Sequence, residues 1–268
     1  MQFRQGAGFL SHLEIRMDDF QQLSNLIREA SRILLFTGAG ISTGSGIPDF
    51  RGPNGVWKRR QPVYYDDFMS SEEARIEHWD QKLEAWPHFK KAEPTPSHLA
   101  AVDLEKVGKL DCLVTQNIDG LHSKAGTSAS RLVEIHGTNT SVQCQTCGWL
   151  DVPDEAFRQF ESTRIPPTCS CGGFLKPATI SFGQSLRSAD LLRAETAALE
   201  ADLVIALGST LGVFPAAGIP LMAAKRGIPY VVVNQGPTDQ DGLPFVTLRI
   251  EGDVQEIFPA AVRGALGA

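Results

Sequence analysis

The sequence lacks the features of membrane, secreted and nucleic-acid-binding proteins. No apolar run in its 268 residues is long enough to cross a bilayer. The short apolar patch at Phe9–Leu10 has neither the length nor the cleavage pattern of a secretory signal. Basic residues are not in excess, since 25 Lys and Arg face 31 Asp and Glu and the net charge is −6. We therefore expect a cytoplasmic protein that binds neither a membrane nor nucleic acid.

Cysteine is scarce, and its spacing is informative. Of five cysteines, Cys112 stands alone and the others form two close pairs, Cys144 with Cys147 and Cys169 with Cys171. Paired cysteines in a cytoplasmic protein indicate a metal site. Four thiolates fill a tetrahedral zinc site and leave no position open, so the zinc would be structural. Four free core cysteines are the alternative, which the few apolar residues of segment 141–175 disfavour.

Short apolar runs alternate with helical patterns along most of the chain. Strands that alternate with helices predict an α/β fold with a doubly wound, Rossmann-like parallel sheet, which binds ligands at its carboxyl edge. The predicted strands are Ile33–Phe36, Cys112–Thr115, Leu132–Ile135, Leu203–Leu207, Tyr230–Val233 and Phe245–Ile250, and the predicted helices are 18–31, 97–108, 188–200, 215–226 and 253–266.

Two segments interrupt this alternation and predict a second, smaller domain. Residues 58–96 have a polar, aromatic helical pattern, and residues 141–175 carry the paired cysteines of a zinc ribbon. The sheet domain would then consist of 17–57, 97–140 and 176–268, with residues 1–16 as a flexible extension.

A glycine-rich loop follows the first predicted strand. Gly38 and Gly40 lack a Cβ and can adopt positive φ, so the backbone can approach a pyrophosphate. An ordinary loop between strand and helix is the alternative. The next residues favour a dinucleotide site, because Asp49, Phe50 and Arg51 place a carboxylate, a ring and a guanidinium beside the loop.

Polar residues also follow the other predicted strands. Because the carboxyl ends of parallel strands lie at one edge of a sheet, these loops should form a single site. They are Gln116–His122, His136, Gly208–Leu211 and Asn234–Asp241.

Taken together, these motifs resemble the sirtuin (Sir2) family of NAD-dependent protein deacylases, in its bacterial form. The resemblance extends from about residue 18 to about residue 260 and keeps the family order. The matching segments are Gly38–Ser42, Gly46–Arg51, Thr115–His122, Glu134–Gly137, the cysteine pairs, Phe182–Gly183, Gly208–Val213 and Val233–Asn234.

The resemblance implies NAD as cofactor, one structural zinc held by the four paired cysteines, and a role for each site residue. His136 would be the general base and Asn117 would hold the nicotinamide ribose, while Phe182 and Gly183 would bind the substrate peptide. The residues implied in NAD binding are Gly38, Ala39, Gly40, Asp49, Phe50, Arg51, Gln116, Asn117, Ile118, Asp119, Gly208, Ser209, Thr210, Asn234, Asp253 and Val254.

Two of these roles have structural alternatives. A lone histidine after a strand is usually a packed core residue, but His136 lies at the carboxyl edge, and a histidine with an ordinary pKa near 6.5 can accept a ribose proton. Asp119, which would grip the nicotinamide carboxamide, could instead cap the helix that follows it.

The resemblance implies removal of an acyl group from protein lysine, with release of nicotinamide and 2′-O-acyl-ADP-ribose. Protein ADP-ribosylation is one alternative, which His136 disfavours because simple ADP-ribosyl transfer needs no base for a second ring closure. A non-catalytic NAD or ADP-ribose sensor is the other. The partner would be an acylated lysine of a protein, and the oligomeric state stays open.

The acyl group is inferred from segment 74–87. Sirtuins that act on succinyl lysine carry a tyrosine and an arginine three residues apart there, whereas this segment has no tyrosine. Glu77, Asp80 and Glu84 would repel an anion, so we expect acetyl or a longer aliphatic group. The alternative is that this helix only packs on the sheet. One further departure is Gln184, where the family often has glutamate.

Overall fold

The predicted parallel sheet is confirmed. The computed structural model describes residues 7–47 and 60–267, with side chains from Asp18 onward. Six parallel strands form the main sheet: β1 (Ile33–Thr37), β2 (Leu110–Thr115), β3 (Leu132–Glu134), β7 (Leu203–Leu207), β8 (Tyr230–Asn234) and β9 (Leu248–Glu251). Their order in the sheet is β3-β2-β1-β7-β8-β9. Strands β1, β7 and β8 are buried over their whole length and β2 over most of it, as expected for strands covered on both faces.

The direction of winding reverses between β1 and β7. The chain passes from β1 to β2 and β3 on one side, then returns to β7, β8 and β9 on the other. At this switch point the two following loops touch, because Gly38 N donates to Leu207 O at 3.0 Å and Gly40 N to Gly208 O at 2.8 Å. Ligands of doubly wound sheets bind at such a point.

Helices cover both faces of the main sheet. α1 (Ala7–Glu29), α4 (Pro96–Lys106) and α9 (Val254–Leu266) pack on one face, and α7 (Ser188–Glu200) and α8 (Gly218–Ala224) on the other. Helix α1 begins eleven residues before the predicted start, inside the stretch expected to be a flexible extension, and that stretch contains no proline to stop a helix. No helix of the described ranges is long and apolar enough to cross a membrane.

A second sheet consists of the antiparallel strands β4 (Gly137–Cys144), β5 (Leu150–Asp151) and β6 (Leu175–Thr179), in the order β5-β4-β6. It has its own hydrophobic core, where Trp79 and Phe157 pack edge to face with ring centroids 5.3 Å apart. The helical prediction for 58–96 is confirmed over the part that the structure describes, while the domain boundaries stay a prediction. The helices beside this sheet are α2 (Tyr65–Ser70), α3 (Glu72–Lys91) and α6 (Asp154–Thr163), and α5 (Leu121–Ala125) follows β2.

Candidate active site

A cavity of about 1280 Å³ lies between the carboxyl edge of the main sheet and the second sheet. Asp119 lies in an adjoining recess with Ala39 and Ile118. The predicted Asp49, Phe50 and Arg51 fall outside the described residues. The other residues predicted for catalysis, NAD binding and peptide binding line the cavity together: Gly38, Ala39, Gly40, Gln116, Asn117, Ile118, His136, Phe182, Gly183, Gly208, Ser209, Thr210, Asn234, Asp253 and Val254.

The glycines after β1 serve close packing. Gly38 has φ −126°, and Gly40 lies in a short 3-10 turn without positive φ, so the expectation of positive φ is wrong for both. A Cβ on Gly38 would lie 2.7 Å from Gly208 O, and one on Gly40 would lie 2.7 Å from Gly208 Cα. The positive φ of 61° belongs to Gly208. Glycine is needed here because two backbones meet at the switch point.

Asn117 and Asp119 are joined through Ser42, a residue that the sequence analysis did not single out. Asn117 Nδ2 donates to Gly38 O and to Ser42 Oγ, both at 3.1 Å. Ser42 Oγ in turn donates to Asp119 Oδ2 at 2.7 Å. Ser42 could have been found from the sequence, because it ends the segment Gly38–Ser42 that resembles the sirtuin family. The loops after β1 and β2 therefore form one hydrogen-bonded unit.

Asp119 also stabilises the start of α5, although the N-cap position that its structural alternative predicted for it belongs to Gly120. Its Oδ1 accepts a hydrogen bond from Leu121 N at 2.9 Å. Burial raises the pKa of Asp119, and the bonds from Leu121 and Ser42 oppose that shift by stabilising the carboxylate. The bond to Leu121 does not exclude a ligand role, because this carboxyl group lies in the recess beside Ile118.

His136 stands between the two sheets. It follows β3 and precedes β4, and its carbonyl accepts a hydrogen bond from Ile180 N at 2.7 Å. Its Nδ1 lies 3.1 Å from Gln116 O. A carbonyl can only accept, so Nδ1 carries the hydrogen and the lone pair of the neutral ring is on Nε2. His136 is half-buried and lines the cavity, which argues against a sealed core histidine.

The chain turns sharply after His136. Gly137 has φ +71°, and a Cβ there would lie 2.1 Å from Ala178 O. Only glycine fits this position, and it brings β4 against β6 directly behind the histidine.

Polar contacts also organise the far end of the cavity, at β7, β8 and α9. Gln116 Nε2 donates to Ser209 Oγ at 2.7 Å, which links the loops after β2 and β7. Asn234 Nδ2 donates to Gly236 O at 2.9 Å. Asp253 caps α9 by accepting from Gln255 N at 2.8 Å. The positive end of this 13-residue helix thus begins at the cavity wall.

Gln184 has a defined structural role. Its Oε1 accepts from Ser181 N at 3.1 Å, and its own N donates to Ser181 O at 3.0 Å. Gln184 Oε1 accepts the same N–H that a glutamate oxygen could accept. The turn that carries Phe182 and Gly183 therefore does not require a carboxylate at position 184. Phe182 O is held by Tyr65 N at 2.9 Å, which ties this turn to α2.

Helix α3 contributes cavity residues that the sequence analysis missed. His78, Gln81 and Lys82 line the cavity. Their spacing of three and four residues, which places side chains on one helix face, was the available signal.

Glu77, Asp80 and Glu84 of α3 do not line the cavity and form ion pairs outside it. Arg60 pairs with Glu77 at 3.5 Å and with Glu84 at 2.8 Å, and Arg164 pairs with Asp80. These three carboxylates therefore do not face an acyl group in the cavity directly, and the neutral acyl group stays a prediction.

The four paired cysteines form a cluster whose sulfur atoms lie within 4.8 Å of one another. The Sγ–Sγ distances are 3.5 Å for Cys144–Cys171 and 3.8 Å for Cys147–Cys169. Tetrahedral zinc with Zn–S bonds of about 2.3 Å needs sulfurs about 3.8 Å apart. Hydrogen bonds from the backbone N–H groups of Cys147 and Thr146 lower the pKa of Cys144 to about 6 and favour the thiolate. The cluster fits one structural zinc ion, with every coordination position filled by protein.

Glu134 gives a prediction about pH and stability. Burial raises its pKa from 4.5 to about 7, against an opposing hydrogen bond from Thr138. The folded state therefore favours the protonated acid. The stabilisation of the folded state by protonated Glu134 is fully present below about pH 4.5 and is lost as pH rises through about 7. Between about pH 5 and about pH 8, the wild type should therefore lose more unfolding free energy than Glu134→Gln.

Urea unfolding of both proteins at the two pH values measures this difference. The exposed Glu161 of α6 provides the control, since Glu161→Gln should keep the wild-type pH dependence. Equal pH dependence in the wild type and Glu134→Gln would contradict the prediction.

Comparisons with known proteins agree with this geometry. The sequence model of the Sir2 family matches residues 38–215. An NAD-dependent protein deacetylase of Rhodopseudomonas palustris is 43% identical over 230 residues, which cover 85% of this chain and 91% of that protein.

Solved structures share the fold. A Sir2 complex with a p53 peptide and NAD+ superposes with a TM-score of 0.81 at 33% identity and covers 94% of this chain and 98% of that one. A Sir2 variant with deacetylated p53 peptide and 3′-O-acetyl ADP-ribose superposes with a TM-score of 0.82 at 33% identity and covers 91% and 97%. Sequence, fold and site geometry agree, and the chain belongs to the Sir2 family.

Proposed function

We propose that this protein is an NAD-dependent protein-lysine deacylase that releases nicotinamide and 2′-O-acyl-ADP-ribose. The observation that carries the proposal is the single cavity that joins the glycine loops, His136 and the turn at Phe182. One end suits a dinucleotide and the other a peptide, with a basic nitrogen between them. The relatives named as deacetylases and the complexes with peptide and NAD+ support it.

At the cofactor end, Gly38, Gly40 and Gly208 line the cavity, and their backbones would lie close to a bound pyrophosphate. Bound NAD supplies an electrophilic ribose carbon and a leaving group. The residues that follow β7, end β8 and begin α9 would line the adenosine end: Ser209, Thr210, Asn234, Asp253 and Val254.

Near the reacting atoms, Asn117 would orient the nicotinamide ribose from a position fixed by Gly38 O and Ser42. Asp119 and the Ile118 backbone would bind the carboxamide. Asp49, Phe50 and Arg51 are assigned by resemblance alone, with Phe50 covering the ribose carbon.

His136 would accept a proton from a ribose hydroxyl at Nε2. The Gln116 carbonyl holds the proton on Nδ1, so the ring presents its lone pair on the correct nitrogen without a tautomer change. Phe182 and Gly183, which line the cavity beside His136, would contact the extended substrate peptide.

Incubation of the purified protein with an acylated lysine peptide and NAD tests the proposal. Mass spectrometry should show deacylated peptide, nicotinamide and O-acyl-ADP-ribose in equal amounts. Transfer of ADP-ribose to protein without deacylation would support the transferase alternative. NAD binding without nicotinamide release from any acyl peptide would support a sensor.

A further inference from the structure

The glycine loop after β1, residues 38–46, is held at one carbonyl from outside the cavity. Ile41 is buried, and its carbonyl accepts hydrogen bonds from Gln255 Nε2 at 2.7 Å and from Thr95 Oγ1 at 3.0 Å. Gln255 Nε2 also donates to Gly40 O at 3.5 Å. Gly40 lines the cavity, whereas neither Gln255 nor Thr95 does. The starts of α4 and α9 therefore support the loop from the side that a ligand does not occupy.

Gln255 is the stronger of these two donors. The Thr95 hydroxyl has a single hydrogen, and His98 Nδ1 lies 2.7 Å from the same oxygen. Because His98 Nδ1 accepts a hydrogen bond from Thr95 N at 3.1 Å, it carries a lone pair and competes with the Ile41 carbonyl for the hydroxyl hydrogen. The Gln255 amide has two hydrogens and bonds two carbonyls of the loop. We therefore expect Gln255 to hold the loop more firmly than Thr95 does.

The other end of the Gln255 amide carries a cost in stability. Its Oε1 is buried and has no hydrogen-bond partner among the residues that the structure describes. A buried acceptor without a partner costs free energy, and an apolar side chain of equal length would avoid that cost. The amide cannot turn over to correct it, because Oε1 would then face Ile41 O. Gln255 therefore holds the loop at the expense of an unpaired oxygen, which is a departure of the kind found at functional sites.

The loop also contains a glycine that its geometry does not require. Gly44 lies in a 3-10 turn without positive φ. A Cβ there would lie 3.5 Å from Thr95 Cγ2 and 3.6 Å from Gln255 Cγ, which are ordinary van der Waals distances. Glycine at such a position adds backbone freedom to the loop. A loop with this freedom depends on side-chain hydrogen bonds to keep one conformation.

We infer that Gln255 is a positioning residue for NAD, because it holds Gly40 and Ile41 in the conformation that a pyrophosphate would meet. The inference rests on the proposed function, which places NAD at this loop, and it adds a residue from outside the cavity. The apparent affinity of a ligand falls with the fraction of molecules whose site is ordered. Loss of the Gln255 donor should thus weaken NAD binding without affecting His136.

Gln255→Met tests the inference, because it keeps the length of the side chain and removes both ends of the amide. We expect KM and calorimetric Kd for NAD to rise about three- to ten-fold, as the loss of one hydrogen bond allows. The value of kcat at saturating NAD should stay unchanged, and the unfolding temperature should not fall, because the unpaired Oε1 is lost as well. Gln255→Glu sets a carboxylate against two carbonyls and should weaken NAD binding further. The control is Gln159→Met, at an exposed glutamine of α6, which should change none of these values.

A second variant tests whether loop order is the cause. Gly44→Ala restricts the backbone of the loop, so Gly44→Ala combined with Gln255→Met should recover part of the lost NAD affinity. Hydrogen–deuterium exchange of the protein without NAD measures loop order directly. Amides of residues 38–46 should exchange faster in Gln255→Met than in the wild type, and more slowly again in the double variant.

Each outcome decides one question. Wild-type NAD affinity in Gln255→Met would overturn the inference and leave the proposed function intact. A fall in both unfolding temperature and kcat would show a merely structural role for Gln255 and would overturn it too. Weaker NAD binding with unchanged exchange of the loop, or without recovery by Gly44→Ala, would overturn the positioning role. Failure of the wild type to bind NAD would overturn the proposed function, and the inference with it.

Discussion

Replacement of His136 by alanine should lower deacylation by about 100-fold or more, since general-base catalysis typically contributes roughly 10²–10⁴-fold. The side chain lines the cavity, and its Nδ1 hydrogen is held by Gln116 O. Alanine removes the base but none of the glycine contacts at the switch point. NAD affinity should therefore stay within a few-fold. Steady-state turnover of an acylated peptide and NAD titration by calorimetry measure the two effects.

His88 is the matched control for this experiment. It is an exposed histidine on α3 and does not line the cavity, so His88→Ala should keep wild-type turnover. Wild-type turnover in a pure His136→Ala preparation would remove His136 from the mechanism.

Loss of the zinc cluster should have the second large effect, this time on folding. Cys144→Ala removes one of four ligands at the end of β4. Structural zinc contributes on the order of 10 kcal/mol to the folding of small metal-binding units. The variant should lose most of its metal and unfold at lower temperature, with the second sheet melting first. Elemental analysis should find one zinc per chain in the wild type, and calorimetry should show the lower transition.

Cys112 is the internal control. It is a buried thiol of β2 outside the cluster, so Cys112→Ala should keep full zinc content. Removal of one small buried group should cost only about 1 kcal/mol of stability. Wild-type protein purified without zinc, or a Cys144→Ala variant as stable as Cys112→Ala, would contradict a structural zinc site.

Local patterns in the sequence determined the fold class and most of the site. Apolar runs that alternate with helical patterns are sufficient to predict a parallel sheet, because both patterns can be read within short segments of the sequence. The carboxyl-edge rule then grouped Gly38, Asn117, His136 and Gly208 without any knowledge of contacts. The metal cluster followed in the same way from the spacing of four cysteines.

The tertiary structure alone decided which atoms meet across distant segments. The glycines after β1 are required by the approach of Gly208, a residue about 170 positions away, and no local pattern encodes that approach. Ser42 joins Asn117 to Asp119 only because two loops meet at the switch point. Helix α3 carries both acidic and basic residues. Only the packing of that helix against the second sheet turns Lys82 toward the cavity and leaves the carboxylates to the arginines, because a helix presents one face to its neighbour and the sequence does not say which neighbour that is.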